Sequence, residues 1–178
     1  FCPSDTHWTP YGISIAAAIL AAEIKEKPWF EAIPKQRYRQ RWITKMISGR
    51  LYKRYKDATG IILEPDPVGI REIVLETEDG LKEFGLQNPE SPVIVIGDSN
   101  TARWANHNSG FAHSLAFELG FPVDVFSTAG GGANTSRLNL ARKIRAEPDY
   151  LERKRVVIWC FTARALTGTR EGWIPVPL

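Results

Sequence analysis

Val93-Ile94-Val95-Ile96-Gly97-Asp98-Ser99-Asn100 is the stretch that decides the fold. Four β-branched apolar residues in succession, with no polar alternation, are the pattern of a parallel strand buried on both faces. Gly97-Asp98-Ser99 ends the strand. After a loop, Phe111, Leu115 and Leu119 mark one face of a helix. A serine just past the C-terminal end of such a strand lies where open α/β sheets bind ligands. The strand-and-turn setting is that of an exposed nucleophile, although Gly-x-Ser-x-Gly is absent.

The pattern extends in both directions. Downstream, Val123–Phe126 reads as a strand, 136–145 as a helix and Arg155–Trp159 as a second buried strand. Strands alternating with helices imply a parallel sheet covered on both faces. The expected class is therefore α/β, a three-layer α/β/α sandwich with a parallel central sheet. Upstream, Thr9 and Pro10 are an N-cap and first helical residue. Ile13, Ala16, Ala17, Leu20 and Ile24 continue as a helical stripe to Lys27, and Pro28 stops it. Arg71–Leu75 reads as a strand, 78–80 as a turn and 87–92 as a linker into the central strand.

A second stretch, Asp5-Thr6-His7-Trp8-Thr9-Pro10, supplies what a serine lacks. A serine hydroxyl needs a histidine to take its proton, and the histidine needs a carboxylate to fix its tautomer. On an extended segment, side chains two apart leave the same face, so Asp5 can reach the near nitrogen of His7. Each motif alone also reads as an ordinary capped turn. Together they predict that Ser99 Oγ and a His7 ring nitrogen come within about 3.5 Å. Asp98 is expected to tie down the amides of its own turn.

These residues resemble a known family. Asp-x-His first and Gly-Asp-Ser later, with Trp8 and Pro10, is similar to the SGNH-like domain of alginate O-acetyltransferases of the AlgX/AlgJ type. Val156-Val157-Ile158-Trp159, followed by Arg164-Ala165-Leu166, is similar to a strand and Arg-x-Leu of that family. Cys160, where the family usually has Glu, and Asn100, where an aromatic is frequent, are departures. The resemblance implies an SGNH-hydrolase-like fold with Asp-x-His preceding Gly-Asp-Ser. It implies a catalytic Asp5, His7 and Ser99, no cofactor and no metal. It also implies a polysaccharide acceptor, an acetyl donor that a membrane protein would hand on, and a periplasmic or cell-surface location.

Three readings stay open: an O-acetyltransferase working through an acetyl-serine, a carbohydrate acetylesterase, and a silent polysaccharide-binding or scaffolding domain. The loop Ala129-Gly130-Gly131-Gly132-Ala133-Asn134 is expected to offer an oxyanion hole with the Ser99 amide, or else to be a plain turn. Trp104 either stacks on a sugar ring or packs. Arg164 either holds a sugar carboxylate or a structural ion pair. Trp8 is expected to pack, while Trp29, Trp42 and Trp173 carry no assignment.

Composition sets the bounds. A chain of 178 residues with 43% hydrophobic and 24% charged residues suits one domain, 1–178. The sequence opens at Phe1-Cys2, without the strand and helix expected before Asp-x-His, and reads as part of a longer polypeptide. No apolar run approaches the roughly 20 residues of a membrane span. Cys2 and Cys160 are both expected near the sheet's C-terminal edge, where a disulfide is geometrically feasible. Residues 35–56 carry Lys35, Arg37, Arg39, Arg41, Lys45, Arg50, Lys53, Arg54 and Lys56 with no acid. They read as a solvated helix or excursion, or as a strip contacting an anionic polymer or membrane surface. No nucleic-acid-binding motif is present.

Overall fold

The computed structural model describes residues 1–167, 175 and 176; Trp173 lies outside them. Twelve helices and strands follow in order: α1 Pro10–Lys25, β1 Arg37–Ile47, α2 Arg50–Thr59, β2 Asp66–Thr77, β3 Gly80–Lys82, β4 Val93–Gly97, α3 Ser99–Ala102, α4 Phe111–Leu119, β5 Asp124–Ser127, α5 Gly132–Ala146, β6 Val156–Cys160 and α6 Arg164–Thr167. Short 3-10 turns interrupt the connections.

The strands form two sheets. β4 lies between β5 and β6, all parallel, with Gly97 level with Ser127 and Cys160. Alternation divides the residues of β4 between two cores. Val93 and Val95 pack with Ile13, Ala17, Phe111 and Leu115 from α1 and α4. Ile94 and Ile96 pack with Leu140 of α5 and with Tyr150. The parallel sheet thus has helices on both faces, within a mixed α/β fold. Every residue of β4 is buried, whereas the edge strand β6 leaves Val157 51% exposed. The expectation of a second buried strand at 155–159 is corrected accordingly: an edge position leaves one side of the strand without a neighbour.

The second sheet is antiparallel, β1-β2-β3, and was not anticipated. β1 occupies much of the basic stretch, so the reading of 35–56 as a solvated helix or excursion is corrected to a strand followed by α2. The high charge of β1 masked its alternation. Ile43 and Ile47 face the core that also holds Val68 and Ile70, while Arg39 and Arg41 pair with Glu76 and Glu72 across the strands.

Two glycines permit close approaches that hold the site. A Cβ at Gly97 would sit 1.9 Å from Thr101 Oγ1 and 2.6 Å from the Cys160 carbonyl oxygen. A Cβ at Gly49 would sit 2.1 Å from the Ser4 carbonyl oxygen. Without side chains at these positions, β6 and α3 close around the end of β4, and the start of α2 closes on the N-terminal segment.

Candidate active site

The N-terminal segment is fastened before it reaches Asp5. The Ser4 amide donates to Asp66 Oδ2 at 2.9 Å, and Ser4 Oγ bonds the same carboxylate. Ser4 Oγ accepts from the Gly49 amide at 3.0 Å, and Ser4 O accepts from the Leu51 amide at 2.9 Å. Thr9 caps α1 through the Gly12 amide. His7 is therefore held between an anchored turn and a capped helix.

Asp5, His7 and Ser99 meet across 92 residues of sequence. Asp5 Oδ1 lies 2.5 Å from His7 Nδ1 and also accepts the His7 backbone N–H at 3.1 Å. His7 Nε2 lies 2.9 Å from Ser99 Oγ. The near nitrogen thus goes to the carboxylate and the far one to the hydroxyl, as the two-residue spacing requires. The Asp5 side chain is fully buried and that of His7 is 3% exposed. Burial opposes the charge on Asp5. The two N–H donors of His7 and the guanidinium of Arg103 outweigh it and hold the carboxyl below its ordinary range. Asp5 is then a fixed anion, the state in which it steadies an imidazolium.

Arg103 was not found in the sequence reading. Its Nη2 donates to Asp5 Oδ2 at 3.0 Å, and its guanidinium lies 4.1 Å from the Trp104 ring centroid. Nothing in the order of residues marks it, because its partner is 98 positions away. Two indoles then link the motifs. Trp8 Nε1 donates to the Asn100 carbonyl at 2.9 Å, and Trp104 Nε1 donates to the Trp8 carbonyl at 2.8 Å. Trp8 also stacks on Phe111, with ring centroids 5.6 Å apart. Trp104 is 1% exposed, so the structure gives it a packing role and leaves almost no face for a sugar.

Asp98 sits as expected of a turn-former. Its Oδ1 accepts from the Asn100 amide at 2.8 Å and its Oδ2 from the Thr162 amide at 2.9 Å. It therefore caps α3 and ties the segment after β6 to the serine turn. The Ser99 amide occupies the first position of α3, where helix N–H groups have no intrahelical partner.

Ser99 stands between two cavities. One, of about 260 Å³, is lined by Ser99, Gly130, Gly131, Gly132, Asn134, Thr162 and Arg164 among others. The other, of about 340 Å³, is lined by His7, Ser99, Arg50, Arg103, Trp104 and Asn106 among others. The glycine loop, Asn134 and Arg164 are thus brought to the serine, at a cavity whose lining does not include His7. Arg164 is exposed and has no ion-pair partner among the described residues. Among those residues no cluster of three or more His, Cys, Asp or Glu side chains could hold a metal ion.

Cys2 and Cys160 are free thiols, so of the two states the sequence left open the structure has the unpaired one. Cys2 is buried in the core with Ile13 and Phe111. Cys160 lies at the end of β6, where Thr101 is its hydrogen-bonding neighbour. Burial pushes both thiols above their ordinary range, which keeps them in the protonated, less nucleophilic form at neutral pH.

Residues 1–163 match the family described as SGNH hydrolase-like domain, acetyltransferase AlgX. The chain belongs to that family. It is 25% identical over 167 residues to the alginate biosynthesis protein AlgX of Pseudomonas fluorescens, covering 89% of this chain and 31% of that protein. It is 29% identical over 181 residues to the probable alginate O-acetylase AlgJ of Azotobacter vinelandii, covering 93% and 42%. The solved structure of Pseudomonas aeruginosa AlgX superposes with a TM-score of 0.63 at 25% identity, over 89% of this chain and 34% of that one. The O-acetyltransferase domain of Pseudomonas putida AlgJ superposes with a TM-score of 0.71 at 23% identity, over 96% and 55%, and shows the fold. The chain spans less than half the length of the curated relatives it matches.

Proposed function

We propose that this SGNH-like domain is a serine-dependent O-acetyltransferase acting on a polysaccharide. The observation that carries the reading is the continuous relay from Asp5 through His7 to Ser99, with both bonds within hydrogen-bonding distance. Ser99 Oγ attacks the acetyl carbonyl of an ester donor while His7 Nε2 takes its proton. The donor's ester C–O bond breaks, and the departing oxygen takes that proton from His7. An acetyl-serine remains. An acceptor hydroxyl then gives its proton to His7 and attacks the same carbonyl, and Ser99 leaves and recovers the proton.

The Ser99 amide, the amides of 130–132 and the Asn134 side chain serve as donors to the tetrahedral oxyanion. They line the cavity whose lining does not include His7, and Arg164 stands at its rim as a donor-side or substrate contact. The alginate named for its relatives supports an exported polymer as the substrate class and the periplasm or cell surface as the compartment. An anionic polymer contacts part of the basic stretch 35–56. The helix-covered parallel sheet is the three-layer sandwich of the SGNH type, with Asp-x-His ahead of Gly-Asp-Ser. A membrane protein hands on the acetyl group, as the family resemblance implies. No helix among the described residues is long and apolar enough to cross a membrane.

Acetate release from a chromogenic acetate ester tests the chemistry. The wild type turns over, and Ser99→Ala folds but does not. Turnover by Ser99→Ala at the wild-type rate would remove the serine from the mechanism. Transfer of acetyl to added oligosaccharide in preference to water then separates the transferase from the esterase.

A further inference from the structure

The basic stretch that is continuous in sequence is divided in space. On β1, Arg39 pairs with Glu76 at 2.8 Å, and Arg41 and Lys45 share Glu72 at 2.5 and 3.9 Å. Glu76 and Glu72 thus offset two of the four cations of β1. On α2, Arg50, Lys53, Arg54 and Lys56 face a single acid, Asp57, which takes Lys53 at 2.6 Å. Arg50, Arg54 and Lys56 have no ion-pair partner among the described residues. The ten-residue α2 buries none of its residues, and from Lys53 onward all are exposed.

That exposed helix is joined to the catalytic segment. Its first turn is bonded to Ser4, the residue before Asp5, through the Gly49 and Leu51 amides. The bare Cα of Gly49 permits this approach. Arg50 consequently lines the cavity that holds His7 Nε2 and Ser99. Its position works against its own helix, because a cation in the first turn meets the positive end of the dipole. The stability of α2 does not account for Arg50 there, whereas its place at the cavity does.

The two sides of Ser99 differ chemically. The base must reach the hydroxyl whose proton it removes, and His7 lines only the cavity shared with Arg50 and Arg103. The glycine amides line only the other.

We propose that the His7-side cavity is the acceptor subsite and that α2 is its docking rail, taking an anionic glycan chain whose charged group is received by Arg50. The proposal rests on the acyl-transfer reading of the site and adds the direction of approach. It makes α2 the contact surface and excludes β1. A rise of roughly 1.5 Å per residue gives α2 a length of about 15 Å. That length spans a few sugar units along the face shared by Arg50, Lys53 and Arg54, which are spaced i, i+3 and i+4.

The test compares two acceptors, an oligouronate and an uncharged cello-oligosaccharide, with the chromogenic acetate ester as donor. In the wild type kcat/KM favours the oligouronate, and the preference shrinks as salt rises, since exposed charges are screened beyond about 8 Å at physiological ionic strength. The triple variant Arg50→Gln, Lys53→Gln, Arg54→Gln lowers the oligouronate-to-neutral ratio about tenfold, in line with several exposed charge contacts of modest individual strength. Arg39→Gln with Arg41→Gln leaves that ratio unchanged. An unaltered ratio in the α2 variant, or an equal fall in the β1 variant, overturns the rail. Equal loss on both acceptors overturns it as well, because α2 would then only support the fold. Acetate release by the wild type without acceptor, abolished in Ser99→Ala, shows that the acyl chemistry stands even where the rail fails.

Discussion

Arg103 Nη2 holds the second oxygen of the Asp5 carboxylate at 3.0 Å, while the first oxygen is given to His7. The carboxylate is therefore fixed on both sides, and its plane sets the imidazole plane. Trp104 backs the guanidinium with its ring and hangs from the Trp8 carbonyl, adjacent to His7. One aromatic brace thus serves both halves of the site.

Removing the guanidinium tests that brace. Arg103→Met deletes a charge-assisted hydrogen bond to a buried carboxylate, worth about 1.5–3 kcal/mol. The expected loss is thus about ten- to a hundredfold in kcat. Asp5 is held below its ordinary range, so its charge is present at neutral pH and lost as pH falls through the folded value. Without Arg103 that value rises, and the acid limb of the pH–rate profile moves to higher pH. Arg103→Lys restores part of the limb's position. A limb that does not move in Arg103→Met, with only thermal stability reduced, would show that Arg103 supports the fold alone.

Asp5→Asn keeps the size of the side chain and removes its charge. The amide cannot hold the tautomer that leaves Nε2 free to accept the Ser99 proton, and ester turnover falls by about 10³- to 10⁴-fold. Steady-state kinetics at pH 7 and pH 9 measure it. A loss under tenfold at both would mean that Asp5 does not set the tautomer of His7.

Gly97→Ala places a Cβ within 1.9 Å of Thr101 Oγ1 and 2.6 Å of the Cys160 carbonyl. The carbonyl belongs to β6 backbone and cannot rotate away. The expected cost is about 1–3 kcal/mol of stability, as for overpacking elsewhere, with a larger fall in activity because Ser99 shifts. Chemical denaturation measures the first and ester turnover the second. Wild-type values for both would mean that the end of β4 relaxes freely.

The two thiols give a chemical check on the core. Cys2 is 4% exposed, and both thiols are pushed up by burial. A thiol reagent at neutral pH therefore reacts slowly with the folded protein and rapidly with two groups after unfolding, in protein purified without reductant. A mass lower by two hydrogens under those conditions would show a bond that the free thiols exclude.

The sequence by itself determined the local chemistry. The all-apolar run Val93–Ile96 could only be a strand buried on both faces, and Asp5 and His7, two apart, had to share a side. Thr9-Pro10 and 111–119 gave α1 and α4 through capping and periodicity, which are properties of neighbours along the chain. Beyond the pairing of His7 with Ser99, which the two motifs announce, the tertiary structure decided what joins residues far apart. Arg103 meets Asp5 across 98 positions, and Ser4 meets Asp66 across 62. The basic run 35–56 looked uniform because its compensating acids, Glu72 and Glu76, lie on β2. Only pairing in register could set two acids against β1 and leave α2 with Asp57 alone. Local pattern sets backbone conformation through short-range sterics and burial, whereas ion pairs, cavities and the relay depend on which distant surfaces the packed core brings together.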